Sequence, residues 1–268
     1  MHKTPFFLSK WYFDGVSDDG RAWIGYWAQL QWKGLTAPYT GFLYLNAAGA
    51  AQSASRFRQG TGPQWSAGGQ LHWEDAALGI SGQWESRAPG LEQRLHEGPE
   101  GYLDWHCHMP VARCRIRMAG EPDLEGWGYV EHLEMTVPPW QLGIDELRWG
   151  RFANPEAPLV WIEWRGTPTR CWVFEGQNRV EHAAVSDGTI QLSGQHRALR
   201  LEQSAIIEQK AKILEVMRPL VRLLPGFQRF TPFRFLKAEE WKWRSAGVLV
   251  ENGQERQRGW VIHECVNL

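Results

Sequence analysis

No stretch of this 268-residue chain is apolar enough to span a membrane, and neither sign of charge dominates it. Lys and Arg number 29 against 30 Asp and Glu, a formal net charge of −1. Without a basic field to neutralise phosphates, no nucleic-acid partner is expected. Residues 1–15, MHKTPFFLSKWYFDG, hold no apolar run of signal-peptide length. Cysteine is scarce, and Cys107, Cys114, Cys171 and Cys265 form neither a CxxC pair nor a close-set framework. The expectation is a cytoplasmic protein with reduced thiols. The common catalytic signatures are missing too: no GxSxG elbow, GxxxxGK[ST] loop, GxGxxG turn or HExxH helix. That argues against α/β hydrolases, nucleotide enzymes and zincins.

What the chain has in excess is tryptophan, 17 residues spread from Trp11 to Trp260. Indoles suit the walls of β barrels, where one edge packs and the N–H finds a partner. The same faces can line a cavity for an apolar or transiently cationic guest. The hydrophobic fraction of 43% and charged fraction of 22% fit a globular protein.

Period-two patterning predicts strands at 21–32, 40–45, 53–58, 70–74, 80–86, 91–96, 102–108 and 112–118. A polar break, Ala119-Gly120-Glu121-Pro122-Asp123, marks the expected domain boundary, giving domains 1–122 and 123–268. A second meander follows at 147–152, 159–165, 169–175, 180–186, 189–192, 197–203, 240–250 and 259–266. Short strands on short turns imply antiparallel meanders, and closure into barrels removes their edges. The fold class expected is therefore all-β, two tandem antiparallel barrels, with no internal repeat strong enough to align. One main helix is expected within 204–224, because Ile206, Ile213, Met217, Leu220 and Leu224 fall at helical spacing. Lys210, Lys212, Arg218, Arg222, Arg229 and Arg234 make 210–234 the most basic region, a candidate for weak peripheral membrane contact.

Three segments carry candidate chemistry. His106 and His108 share a strand face with Cys114 nearby, but nothing completes a ligand set, and no metal or cofactor is expected. In Gly126–His132, Tyr129 and Glu131 share one face with Trp127, and His132 points away. An acid beside a phenol in an aromatic pocket can hold a raised pKa and donate a proton, so Glu131 next to Tyr129 is a candidate for acid chemistry; the alternative is a Tyr/Glu pair hydrogen-bonded to close a barrel. At the C-terminal strand, Glu264 shares a face with Trp260 and Ile262, and His263 and Cys265 share the other.

Three of these landmarks, Trp11-Tyr12-Phe13-Asp14, Gly126–His132 and Trp149-Gly150-Arg151, resemble the carotenoid 1,2-hydratase (hydroxyneurosporene synthase) and attacin-operon-homologue superfamily. Tocopherol cyclase and certain fungal Diels–Alderases are grouped nearby. The family motif GY-x-DH-N-x-G is matched by Gly128-Tyr129-Val130-Glu131-His132-Leu133-Glu134. Glu131 stands where the family has Asp, and the family's Asn and second Gly are absent. The resemblance implies two tandem lipocalin-like barrels and an enzyme acting on an apolar, isoprenoid- or polyene-like substrate by acid-assisted hydration or cyclisation. Glu131 would be the catalytic acid with Tyr129 and His132 tuning it, and the cavity would lie between the barrels, with Trp23, Trp27, Trp105, Trp127, Trp149 and Glu264 as substrate contacts. The alternatives are a non-catalytic lipid or pigment carrier and an interaction protein.

Overall fold

In a computed structural model, described over residues 6–58, 60–193, 196–212 and 237–268, the chain forms two compact units, Met1–Leu142 and Gly143–Leu268. Each is an antiparallel sheet. The first holds β1 (Phe6–Ser17), β2 (Ala22–Trp32), β3 (Leu35–Leu45), β4 (Ala51–Arg56), β5 (Gln64–Trp65), β6 (Leu71–Asp75), β7 (Ile80–Ser86), β8 (Leu91–Gly98), β9 (Gly101–Met118) and β10 (Leu124–Met135). The second holds β11 (Ile144–Ala153), β12 (Leu159–Gly166), β13 (Arg170–Glu175), β14 (Asn178–Arg179), β15 (Ala184–Val185), β16 (Thr189–Ser193), β17 (Arg197–Lys212), β18 (Glu239–Glu251) and β19 (Gln254–Asn267).

The strand orders are the same. The first runs β4-β3-β2-β1-β10-β9-β7-β6-β5 with β8 added against β9; the second runs β14-β13-β12-β11-β19-β18-β17-β16-β15. The repeat that the sequence does not reveal is thus present in the topology. In each unit the first and last strands pair at the centre, from Leu8↔Met135 to Ser17↔Gly126 and from Glu146↔Asn267 to Ala153↔Trp260. Two short strands share β9: β7 pairs with its C-terminal half and β8 with its N-terminal half. The run therefore continues through Pro110, beside a register shift between Gly128 and Glu131 that relieves the ladder of one donor.

The expected boundary at 122/123 moves to 142/143, because β10 pairs with β1 and β9 and so belongs to the first sheet. The expected helix is corrected as well. Its N-terminal part, through Lys212, is strand β17, paired with β18 up to Lys212↔Glu239. Register shifts fall between Glu202/Ala205, Ile206/Glu208 and Glu208/Ala211, and Gln203 and Lys210 have positive φ. These irregularities break the period of two over 202–211, so alternation does not mark this stretch as a strand. Residues 213–224, and with them Ile213, Met217, Leu220 and most of the basic region, lie outside the described residues. Among those described, no helix is long and apolar enough to cross a membrane.

The aromatic residues explain each core. In the first unit Phe13, Trp23, Trp73 and Trp84 interleave with ring centroids 5.2–6.1 Å apart. Trp84 Nε1 donates to the Asp14 carbonyl at 2.8 Å, the partner a buried indole needs. In the second, Phe152, Leu159, Trp161, Val173, Leu249 and Val261 pack together.

Candidate functional site

The expected catalytic segment lies on β10, and its alternation divides it between the two faces of the sheet. Tyr129 and Glu131 face away from the aromatic core, yet both are buried. Glu131 Oε2 accepts hydrogen bonds from Tyr129 Oη at 2.6 Å and Trp105 Nε1 at 2.5 Å. Cys107, across from Glu131, and Tyr12 complete a buried polar patch on that face. Burial, then the neighbouring Cys107 and Glu131, push the Tyr129 phenol well above its ordinary range, so it stays a donor. Trp127 is capped by the Arg113 guanidinium, 3.7 Å from its ring centroid.

His132 turns to the core face. Its ring stacks on Trp11 with centroids 4.6 Å apart, and Ser9 Oγ lies 2.8 Å from Nε2. His106 and His108 stack nearby at 6.1 and 6.3 Å. Burial, then His108 and His106, lower the His132 imidazole to about 4. Among the described residues no group of three or more His, Cys, Asp or Glu is arranged to hold a metal ion. Trp23 is part of the packed core, and Trp27, half-buried, donates to the Gly60 carbonyl at 3.4 Å. The tryptophans expected around one substrate are therefore spread over both faces of the first sheet, with Trp149 in the second.

The second sheet carries a cavity of about 380 Å³ lined by Trp149, Trp161, Trp243, His263, Ser204 and Arg148, with Glu264 and Cys265 among its other walls. Its geometry follows from one cross-strand row. Trp243 on β18 faces His263 on β19, His263 faces Gly150 on β11, and Gly150 faces Trp161 on β12. Directly opposed residues share a face, so three rings stand in line. Gly150 makes this possible. A Cβ there would sit 2.2 Å from Trp161 Cζ2 and 2.8 Å from His263 Cβ, so the missing side chain lets the indole lie across the strand.

His263 stacks on Trp243 at 5.1 Å and 20°, and its Nε2 lies 2.9 Å from Ser245 Oγ. Ser245, fully buried, is 2.7 Å from Ser204 Oγ, which the irregularity between Glu202 and Ala205 brings to the cavity. Burial, then the Arg148 charge, push the His263 imidazole down to about 4. At neutral pH the imidazole is uncharged and stands at the end of a chain of two hydroxyls. One pleat along the same face, Cys265, Arg148 and Glu163 form the next row and open a charged rim. Arg148 Nε bonds Glu146 at 2.5 Å and its Nη1 bonds Asp187 at 2.5 Å; Arg165 bridges Glu146 and Glu163 at 3.0 and 2.8 Å.

Glu264 stands opposite Lys242 on the other face. Burial opposes the Lys242 charge, but the carboxylates of Glu240, Glu264 and Glu208 outweigh it and raise the ammonium above its usual range. Glu264 thus belongs to an ion cluster around a buried lysine, although the cavity also touches it. Sequence reasoning missed Trp161, Ser204, Trp243 and Ser245, and named Gly150 only within the Trp149-Gly150-Arg151 landmark. In β19 His263 and Cys265 alternate with Glu264, and the imidazole's face is the one that carries the cavity row. A further cavity, of about 460 Å³ in the first unit, is walled by charged and amide side chains, among them Gln83, Arg113, Arg115 and Glu125. Neither cavity reaches Glu131.

No family model matches the chain, and no curated protein matches it either. Solved structures do. CghA matches with a TM-score of 0.62 at 12% identity, over 98% of this chain and 89% of that one. A protein of Nitrosomonas europaea provisionally designated AttH matches at 0.59 and 12%, over 96% and 92%. Kievitone hydratase from Nectria haematococca matches at 0.56 and 10%, over 98% and 89%. The chain has the nearly all-β, two-sheet fold of these proteins.

Proposed function

We propose that the chain binds an apolar, unsaturated small molecule in the second-unit cavity and acts on it by hydration or cyclisation. The observation that carries this reading is the row Trp243–His263–Gly150–Trp161 over the Ser204–Ser245–His263 chain: aromatic walls with one oriented polar contact. Such a cavity falls in the size range of small-molecule sites. The indoles fix the ligand's pose, and positioning alone is worth up to about 7–11 kcal/mol of barrier. Ser204 reaches the reacting hydroxyl or water; as that oxygen adds to one carbon of the double bond, the proton it loses passes through Ser245 to His263, and the imidazolium, steadied by the stacked Trp243 face, returns a proton to the other carbon. A fold relative named as a hydratase supports the reaction class by analogy, and CghA has been solved with the small molecule Sch210972 bound.

One observation favours a second reading, carriage without turnover: an imidazole held at about 4 is a weak base. Native mass spectrometry of the purified chain, followed by organic extraction, tests both. A retained apolar molecule that is converted by the wild type and unchanged by Ser204→Ala supports catalysis. Retention without conversion supports carriage. No bound molecule and no affinity for apolar aromatic probes would sink both.

A further inference from the structure

At the mouth of the cavity the charged rim has one member unlike the rest. Glu146, Glu163 and Arg148 side chains are largely covered, with 24%, 11% and 15% of their surface exposed, whereas Asp187 is 91% exposed. Asp187 sits at the tip of the turn joining β15 to β16, which is closed by Ser186 N donating to Thr189 O at 2.9 Å. Val185 O accepts from Arg165 Nη2 at 2.9 Å, so the hairpin is anchored at its base while the Asp187 side chain pairs with Arg148 from the solvent side. Arg148 has a covered partner, Glu146 in its own strand, and an exposed one, Asp187, each at 2.5 Å.

We propose that the ligand is an amphipathic acid, an apolar ring-containing body with one anionic end group, and that Asp187 occupies its anion subsite on Arg148 when the cavity is empty. The inference rests on the ligand-binding reading of this cavity and adds the chemistry of the ligand. Charge counting permits exchange. Arg148 and Arg165 face Glu146, Glu163 and Asp187, a rim of −1; a ligand carboxylate that sends Asp187 into solvent leaves that balance unchanged. The displaced Arg148–Asp187 pair is solvent-exposed on its acidic side and contributes little to stability. The ion pair that replaces it is partly desolvated, with the guanidinium fork suited to a carboxylate or sulfonate. Arg148 lies one pleat from the His263 row, so a ligand gripped there lays its body along Trp243, His263 and Trp161.

Two fluorescent probes of nearly the same body separate the charge from the shape: 1-anilinonaphthalene-8-sulfonate, and N-phenyl-1-naphthylamine, which lacks the sulfonate. Titrated into the full chain at low salt, the sulfonate should bind at one per chain and at least ten-fold tighter than the neutral probe. Asp187→Asn, at an exposed turn that leaves the fold alone, should tighten the sulfonate several-fold and leave the neutral probe unchanged. Arg148→Gln should reduce the sulfonate to the affinity of the neutral probe. Equal affinity of the two probes for the wild type, or an Asp187→Asn variant that binds the sulfonate no better, would overturn the proposal while leaving the cavity reading intact. Binding of neither probe would overturn the cavity reading itself.

Discussion

Replacing Gly150 by alanine adds a single methyl group, and the structure predicts that it damages the second unit. The new Cβ would stand 2.2 and 2.6 Å from Trp161 Cζ2 and Cε2, and 2.8 Å from His263 Cβ. Both close approaches to Trp161 are to a rigid ring that is 2% exposed, so nothing flexible can yield. Forcing extra volume into a packed site costs about 1–3 kcal/mol. Against that, removing a glycine from the unfolded chain stabilises by about 0.4–1 kcal/mol. The net expectation is a loss of about 1–2 kcal/mol, a fall of roughly 2–8 °C in Tm. Trp161→Phe removes the clashing part of the ring, so in a double-mutant cycle the Gly150→Ala penalty should shrink by at least about 1 kcal/mol in that background. Thermal unfolding followed by tryptophan fluorescence measures all four proteins. A neutral or stabilising Gly150→Ala, or additive effects in the cycle, would refute the account of why this position lacks a side chain.

Glu131→Gln should lower stability by about 1–3 kcal/mol, since the carboxyl oxygen that accepts from both Tyr129 and Trp105 gives way to an amide in a buried setting; turnover assays should show catalysis intact, and its collapse with Tm unchanged would assign the acid role to Glu131. His263→Gln should leave the fold in place and abolish turnover while keeping ligand affinity within a few-fold, read by activity and probe titration together. The same imidazole makes the fold acid-sensitive. The unfolded chain takes up the proton near 6.5 and the folded one only near 4, so stability is full above about pH 6.5 and is lost as pH falls toward 4, by up to roughly 3 kcal/mol. Urea midpoints at pH 7 and 4.5 should converge in His263→Gln relative to wild type, and parallel losses in the two proteins would contradict this.

The meander is legible in the sequence wherever strands keep strict alternation: the strand predicted at 80–86 is β7, and the one predicted at 21–32 is β2 to within one residue. Legibility fails where register shifts interrupt the period, as in β17, because a bulge displaces every later side chain by one position and an apolar pattern read along one strand cannot show it. The domain boundary shifts for a related reason. The turn at 119–123 is a hairpin connection, and turn-rich composition does not distinguish a hairpin from a linker. Only the pairing of β10 with β1, at the far end of the first unit's sequence, assigns it. The candidate group Glu131, Tyr129 and His132 is visible as a cluster in the sequence. Chemistry-bearing residues close in sequence on a strand are split between two faces, whereas the cavity is a row across four strands that brings Gly150 beside His263. No local pattern carries such a row, and the one residue that makes it possible is marked by having no side chain.

The pairing of first strand with last gives the chain a particular folding history. Hairpins such as β2–β3 close loops of a few residues, but the central seam of the first sheet joins Leu8 to Met135. Loop-closure entropy rises with the chain enclosed, so the seam is the pairing that local hairpins must precede. During synthesis β1 emerges with only β2 to pair with, and its other edge stays open until β10 has followed. Nascent first units are therefore exposed along their most central strand for most of their translation, and the second unit repeats the same wait from β11 to β19. Aggregation during synthesis, rather than instability of the finished protein, is where this arrangement is most vulnerable.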